Sequence, residues 1–331
     1  MKRELYLDNV CGLLMLNMIF MTHLAYYVGY RPFLIQFVSD TLSFFMLWFF
    51  FKGGMVFKSK PLWKCLKTGV IRLLIPFCVF NLIGIVWELY VAYSAGENLH
   101  LNFFTFELTL IRDYQSVPAS LACWYLLSLF IVRIIFQLLH DKVKPGILIV
   151  GGVLFAYLLY LNGTSPIVLA GMSFTLPFYL GNISLGLAFY ALGYSIKDWQ
   201  YNKWIFALAI CAFILKFFIP SGIDVRKNEV YGYYLIAIMY GVGGCIVLNN
   251  LFKYFLDKEI ILLTHIGKRS MVYYLVHFTP IMIFVHFSKV GVLSSLDTSI
   301  HYFLMAIVLI VIMYLSDLFY NFPKVRFLFG G

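Results

Sequence analysis

The chain of 331 residues is unusually apolar, with 62% hydrophobic and only 12% charged residues. This composition excludes a soluble globular enzyme, which carries about twice that share of charge, and a disordered chain, which needs low hydrophobicity. The net charge of +10 does not indicate a nucleic-acid partner, because the Lys and Arg residues lie in short gaps between long apolar runs. Most of the chain is therefore expected to lie in lipid.

The apolar runs predict about ten membrane-spanning helices, since one span needs about 20 mostly apolar residues. The windows are 6–29, 38–57, 70–93, 119–139, 146–161, 174–196, 204–220, 231–252, 270–288 and 301–320. With the N-terminus inside, 19 of the 25 Lys and Arg residues fall on the inner side, five fall on the outer side, and Lys216 lies near an outer helix end. Such an excess sets the orientation of membrane proteins. The sequence predicts one all-α domain, 1–331, in the inner (plasma) membrane with both termini cytoplasmic.

Two local features complete the expected organisation. The first window has no small-residue cleavage site and is expected to be a retained span rather than a signal peptide. The six cysteines form no CxxC or Cys/His cluster, so neither disulfides nor a metal site are expected. The segment 162–177 is open to two interpretations, a plain outer loop or a re-entrant stretch.

Two histidines inside apolar windows are candidates for function, because polar groups in hydrocarbon are costly. The spacing of Asp8 and His23 is close to a whole number of helical turns and predicts that both face the bundle interior. The alternative is a packing stripe whose polar side chains bond neighbouring helices. His277 ends a second polar stripe with Ser270, Tyr273 and Tyr274, and that pattern alone favours a hydrogen-bonded structural histidine over a functional one.

A basic segment, 58–67, precedes the third window, and its Lys residues alternate with Leu62, Trp63 and Leu66. This pattern favours a short helix on the inner membrane surface, attracted to anionic lipids. The functional alternative is a cationic entrance for a polyanionic cytoplasmic nucleotide such as coenzyme A, whose phosphates Lys and Arg side chains bind.

Short motifs follow one another in a fixed order along the chain. They are LDNVCG at 7–12 running to His23, FFMLWFFFKGG at 44–54, RLLIPF at 72–77, WYLL at 124–127, ALGY at 191–194, and IGKRS at 266–270 followed by Tyr273 to His277. Their order and spacing resemble the acyltransferase 3 family of bacterial integral membrane acyltransferases, which modify glycans and related envelope molecules.

The resemblance implies transfer of an acyl group, usually acetyl, from cytoplasmic acyl-CoA to a hydroxyl of an envelope glycan or glycolipid. Acyl-CoA is then a donor substrate, and no tightly bound cofactor is implied. His23 matches the family's essential histidine, and Arg72 matches a basic residue at the start of its third helix. A histidine in a low-dielectric site stays neutral, so it can act as a general base toward the acceptor hydroxyl or relay the acyl group itself.

The expected site residues fall into three groups. His23 is the expected catalytic residue, with Asp8 orienting it or balancing its charge. The cations expected to bind acyl-CoA are Arg72, Lys64, Lys67, Lys268 and Arg269. The residues expected to line the acceptor cavity are Trp124, Tyr125, Tyr273 and His277.

The first motif departs from the family pattern. The family has a basic residue eleven positions before the histidine, where this chain has Gly12, and the matching slot after Asp8 holds Cys11. The segment also carries one extra residue before His23. Either Arg72 or another cation supplies the missing charge, or this family member is altered or inactive.

Two alternatives to an enzyme therefore stay open, a glycan or lipid exporter on the same scaffold and a structural membrane subunit. Acceptor selectivity is expected in the outer gaps 94–118, 163–176, 221–230 and 289–300. The sequence names neither the acceptor nor the oligomeric state.

Overall fold

The computed structural model describes residues 4–96, 115–162, 167–169, 172–174, 179–288 and 295–331, and these parts are almost entirely helical. The helices are α1 (Leu5–Val28), α2 (Phe33–Met55), α3 (Leu62–Ser94), α4 (Pro118–Leu139), α5 (Pro145–Asn162), α6 (Tyr179–Ile196), α7 (Lys203–Phe218), α8 (Tyr234–Phe255), α9 (Ile261–Lys268), α10 (Ser270–Ser288) and α11 (Thr298–Tyr320). Eight of them, all but α6, α7 and α9, are long and apolar enough to cross a membrane. The predicted polytopic helical bundle is confirmed.

Two short antiparallel hairpins lie in gaps between the helices. In the first, β1 (Ile167–Leu169) pairs with β2 (Met172–Phe174) between α5 and α6. In the second, β3 (Gly222–Asp224) pairs with β4 (Glu229–Tyr231) between α7 and α8. The described part of the 163–176 gap is therefore a pair of antiparallel strands, and the 221–230 gap is built around a hairpin.

The basic segment that precedes the third window is not a separate surface helix. Residues Leu62–Ser94 form one helix of 33 residues, so Lys64 and Lys67 lie on the first turns of the span itself. The helix adopts π-helical geometry over Val70–Leu74, the stretch that contains Arg72.

Glycines allow two pairs of helices to approach very closely. A methyl group at Gly12 of α1 would overlap the carbonyl oxygen of Leu263 in α9, and one at Gly267 of α9 would overlap the carbonyl oxygen of Asp8. Gly54 of α2 is packed in the same way against α6. Small residues at such crossings let helix backbones pack tightly in lipid, where no hydrophobic effect drives association.

The core lies between α1, α2, α4, α6, α8 and α10 and contains buried polar bonds between helices. The indole nitrogen of Trp48 on α2 donates to Asn249 Oδ1 on α8 at 2.8 Å, and Asn249 Nδ2 donates to Gln200 Oε1 at 3.0 Å. Hydrogen bonds of this kind are typical between membrane helices, because an unpaired polar group in hydrocarbon is costly. They fix the positions of the helices that surround the site.

Candidate functional site

His23 lies in a π-helical segment near the end of α1. The segment covers Asn17–Leu24, with α-helix on both sides. π-helical turns widen a helix locally and occur frequently at functional sites. Because the segment does not have 3.6 residues per turn, the face predicted to be shared by Asp8 and His23 does not follow from simple periodicity.

His277 lies at a bend in α10, between the α-helical stretches Ser270–Val276 and Phe278–Ser288. Pro280 follows three residues later and has no N–H to donate to the carbonyl of Val276, which weakens the helix at this point. The His277 ring turns back along the helix and lies within hydrogen-bonding distance of two carbonyl oxygens, those of Tyr273 and Tyr274. It is completely buried.

The hydrogen bonds of His277 fix the tautomers of both histidines. His277 Nδ1 lies 2.9 Å from the carbonyl oxygen of Tyr274 and must carry a proton, because a carbonyl oxygen only accepts. In the neutral ring Nε2 is then an acceptor, and it lies 2.8 Å from His23 Nδ1. His23 Nδ1 therefore donates, and the lone pair of His23 is on Nε2.

Phe278 holds the two imidazoles in one orientation. The two rings are nearly parallel, with an angle of 6° between their planes, and Phe278 meets both edge-on at 89° and 88°. His23 itself is half-buried, in contrast to its partner. The pair thus consists of an accessible histidine supported by a buried one.

His23 faces a cavity of about 590 Å³ at the end of the bundle where α1 ends. Its walls come from α1, α2, α4, α10 and the hairpin of β3 and β4, and they include Tyr27, Trp124 and Phe278. Cavities of this size hold small organic ligands, and aromatic walls with a few polar groups are typical of them. The accessible histidine therefore lies in a site of ligand size.

Five charged side chains line the same cavity. They are Arg31, Arg226, Lys227, Asp40 and Asp224. None of the five was singled out as a site residue from the sequence, although 221–230 was expected to influence acceptor choice. The available signal was the adjacent pair Arg226 and Lys227, two cations on the side with few Lys and Arg residues.

The structure separates the residues expected to line this cavity. Trp124 is in the wall beside His23. Tyr125, Tyr273 and His277 are buried, and they are not among the described residues that form its surface. His277 reaches the site through its hydrogen bond to His23 rather than through contact with the cavity.

Asp8 lies near the opposite end of α1 from His23. Fifteen residues separate them in the sequence, which corresponds to roughly 20 Å along a helix. Asp8 is buried where α1 crosses α9, and its backbone approaches Gly267. It does not contact His23, so an effect of Asp8 on the histidine would have to act over a long distance.

Three of the expected donor-binding cations lie on α3 and are exposed. Lys64 and Lys67 are on its first turns, and Arg72 is in its π-helical segment. None of the three belongs to the described wall of the cavity. Because α2 begins at the cavity and α3 follows its far end, Lys64 and Lys67 lie at the other end of the bundle.

The remaining two expected donor-binding cations, Lys268 and Arg269, lie at the end of α9 and are paired. Lys268 Nζ is 3.4 Å from Glu259 Oε1, with both side chains largely exposed. Arg269 Nε is 2.9 Å from Asp317 Oδ1, and its Nη2 donates to Asn321 Oδ1 at 2.8 Å. Arg269 is thus held by α11, and the exposed cations of α3 are freer to bind an anion.

The structure explains the missing cation in the first motif. Gly12 is pressed against the backbone of Leu263, so no side chain fits there without moving α9. Cys11 is buried. An arginine or lysine at either position would need a different packing of α1 and α9.

Comparison with known proteins adds one match. The sequence profile of the family described as acyltransferase domain, acyltransferase 3, matches residues 4–318. No curated protein and no solved structure matches the chain.

Proposed function

The chain belongs to the acyltransferase 3 family, whose profile covers nearly its whole length, and on this premise we propose the reaction of this membrane acyltransferase. The donor is acyl-CoA from the cytoplasm, the group is acetyl, and the acceptor is a hydroxyl of an envelope glycan or glycolipid at the outer face. The protein lies in the plasma membrane with both termini in the cytoplasm. Family membership favours this enzyme over an exporter or a structural subunit.

One observation carries the proposal: the lone pair of His23 is on Nε2, beside a cavity of ligand size. The hydrogen bond from Nδ1 to His277 Nε2 fixes this tautomer. A neutral imidazole with a free nitrogen is the usual general base toward a hydroxyl group. The family's essential histidine and the geometry thus agree on the same residue.

In the proposed reaction, His23 Nε2 removes the proton of the acceptor hydroxyl as its oxygen attacks the thioester carbonyl carbon. The C–O bond forms, the C–S bond breaks, and the thiolate of coenzyme A leaves and takes up the proton. His23 carries a positive charge in the meantime, and its Nδ1–H bond to His277 strengthens, because charge-assisted hydrogen bonds are the stronger ones. His277 acts as a positioning residue.

The donor is proposed to approach from the opposite end of the bundle. Lys64, Lys67 and Arg72 are exposed there and suit the phosphates of coenzyme A. The thioester then has to extend through much of the membrane thickness to His23. The long pantetheine arm of coenzyme A has the extended shape that this requires.

The test is acetyl-CoA turnover in membranes that contain the protein, measured as free coenzyme A released. We expect His23→Ala to lower kcat by about 10²–10⁴-fold, the usual contribution of a general base. The control is His286→Ala on α10, because His286 packs against Trp87 and lies outside the described cavity wall.

Full turnover by His23→Ala would remove the proposed catalytic role. A histidine-bound acetyl group, trapped by acid quenching and found by mass spectrometry, would show that His23 relays the acyl group instead. The acyl content of surface glycans, compared between cells with and without the gene, identifies the acceptor.

A further inference from the structure

The wall of the cavity formed by the β3–β4 hairpin carries a cation, Arg226, that forms no ion pair with the residues the structure describes. We infer that the acceptor bears an anionic oxygen group, a carboxylate or a phosphate, and that Arg226 binds it. This inference rests on the proposed function and names the class of its acceptor.

The cations of the cavity differ in their partners. Arg31 lies 4.8 Å from the ring centre of Tyr26, and Lys227 Nζ lies 3.5 Å from Glu229 Oε2. Among the residues that the structure describes, no carboxylate forms an ion pair with the guanidinium group of Arg226. Arg226 is half-buried, so water screens its charge only in part.

Both acidic residues of the cavity take part in local hydrogen bonds. Asp224 Oδ1 accepts the backbone N–H of Arg226 at 2.9 Å, which closes the turn of the hairpin. Asp40 is exposed, and its backbone carbonyl oxygen accepts a hydrogen bond from the Lys216 ammonium group, which also donates to Ser43 Oγ at 3.0 Å. Among the described residues, neither carboxylate forms an ion pair with the Arg226 guanidinium group.

Buried side chains attach the turn to the bundle. Asn182 Nδ2 on α6 donates to the carbonyl oxygen of Arg226 and to Gln115 Oε1, each at 3.0 Å. Ser128 Oγ on α4 donates to Asn182 Oδ1 at 2.7 Å. Asn182, Gln115 and Ser128 are almost completely buried. The main chain of the turn is therefore already ordered before a ligand arrives, which favours affinity.

The position of Arg226 relative to His23 gives the second argument. Both side chains line the same cavity. A general base becomes positively charged during the reaction, so a guanidinium group in the same cavity opposes catalysis unless an anion is bound to it. An acceptor anion bound to Arg226 removes this repulsion when the hydroxyl is in place. An anionic acceptor therefore weakens the repulsion between Arg226 and protonated His23, whereas a neutral acceptor does not.

The chemistry of guanidinium suits both candidate groups. Its planar N–H donors form paired hydrogen bonds with either a carboxylate or a phosphate. The aromatic side chains of Tyr27 and Trp124 in the same cavity add flat apolar surface for the rest of the ligand. The shared class is thus a sugar or similar polyol with an anionic substituent.

The experiment measures binding of three probes, glucose, glucuronic acid and glucose 6-phosphate, to purified protein in nanodiscs of neutral lipid. No acyl donor is present. We expect at least one of the two acids to bind about tenfold or more tightly than glucose, since a hydrogen bond to a charged group contributes at least that much. The tighter acid shows whether carboxylate or phosphate is preferred.

Arg226→Gln should remove this preference and leave the affinity for glucose unchanged. Arg326→Gln is the matched control, because this exposed arginine lies outside the described cavity wall, and it should keep the preference. Wild-type protein that binds all three probes equally would overturn the inference, and so would Arg226→Gln protein that still prefers an acid.

Failure of this inference is distinguishable from failure of the proposed function. The binding measurement involves neither acetyl-CoA nor turnover. The proposed function fails when acetyl-CoA turnover does not depend on His23, whatever the charge of the preferred sugar.

Discussion

The partner of His23 is a second neutral imidazole, not a carboxylate. In a Ser-His-Asp triad, a buried carboxylate holds the base histidine and stabilises its charged form. Here His277 Nε2 accepts the same hydrogen bond at 2.8 Å and adds no negative charge. This arrangement orients the base without burying an anion in the membrane, where an unpaired charge is expensive.

This role predicts different effects for two substitutions of His277. His277→Leu removes the acceptor and should lower kcat roughly 10–100-fold, the usual effect of losing a residue that orients a catalytic group. His277→Gln keeps an acceptor oxygen and should restore much of that activity. KM for acetyl-CoA should stay unchanged in both, since His277 is buried away from the cavity.

Steady-state kinetics of the two variants in membranes provide the measurement. A merely structural histidine would give equal losses for Leu and Gln, together with less folded protein. That pattern in size-exclusion profiles and rates would contradict the positioning role.

Sequence reasoning found some of these residues and missed others for physical reasons. His23 stands out because its neighbours in the chain are apolar. The support by His277 depends on a bend at Pro280 and on contact across 254 positions of sequence, which one chain pattern does not encode. Arg226 looked like an ordinary loop cation, because its position in the cavity depends on Asn182 and Gln115 in other parts of the sequence.

At the scale of elements, α1 combines a tight crossing with a widened segment. The crossing at Gly12 fixes its first half against α9. The π-helical stretch Asn17–Leu24 then accommodates additional residues per turn, since its hydrogen bonds run from i to i+5. The one extra residue before His23, relative to the family pattern, is consistent with this widening.

The crossing predicts that a single methyl group at Gly12 is destabilising. Gly12→Ala should lower the free energy of unfolding by about 1–3 kcal/mol, because overpacking forces backbones apart. Gly151→Ala on α5 is the matched control, since nothing lies within 4 Å of a methyl group there. Alanine in an open helical position should be neutral or slightly stabilising.

Thermal unfolding of both variants in detergent is the measurement. Equal melting temperatures for Gly12→Ala and wild type would show that α9 moves aside easily. In that case the departure of the first motif from the family pattern would need another cause than helix packing.

The helices were predictable from hydropathy, and the exceptions are instructive. The windows 119–139 and 270–288 agree with α4 and α10 to within one residue. The continuity of α3 was missed, because Lys64 and Lys67 resemble an interfacial pattern even at the start of a span. The hairpin of β3 and β4 was missed because its strands are three residues long, too short for an alternating pattern.

On the scale of the whole molecule, the two ends of the bundle differ chemically. One end holds the cavity with His23 and Arg226, and the other exposes Lys64 and Lys67. This separation suits a reaction whose two substrates come from different sides of a membrane. It also makes the direction of insertion essential for the proposed function.

The distribution of Lys and Arg predicts that the C-terminus is cytoplasmic. Green fluorescent protein fused after Gly331 should therefore be fluorescent, and alkaline phosphatase fused there should be inactive. Phosphatase fused after Asp297, which precedes α11, is the control and should be active. An active phosphatase at Gly331 would reverse the orientation and place the cavity with His23 on the cytoplasmic side.

The attachment of the hairpin has a consequence for how such a protein diversifies. Asn182 holds the turn through a main-chain carbonyl, so the bond does not depend on which side chain occupies position 226. Substitutions at 226 and 227 can therefore change the side chains that face the ligand, while the turn keeps its hydrogen bond to Asn182 and His23 keeps its hydrogen bond to His277. In the proposed reaction, mutations in the hairpin can thus alter which acceptor binds without altering the histidine pair that carries out the acyl transfer.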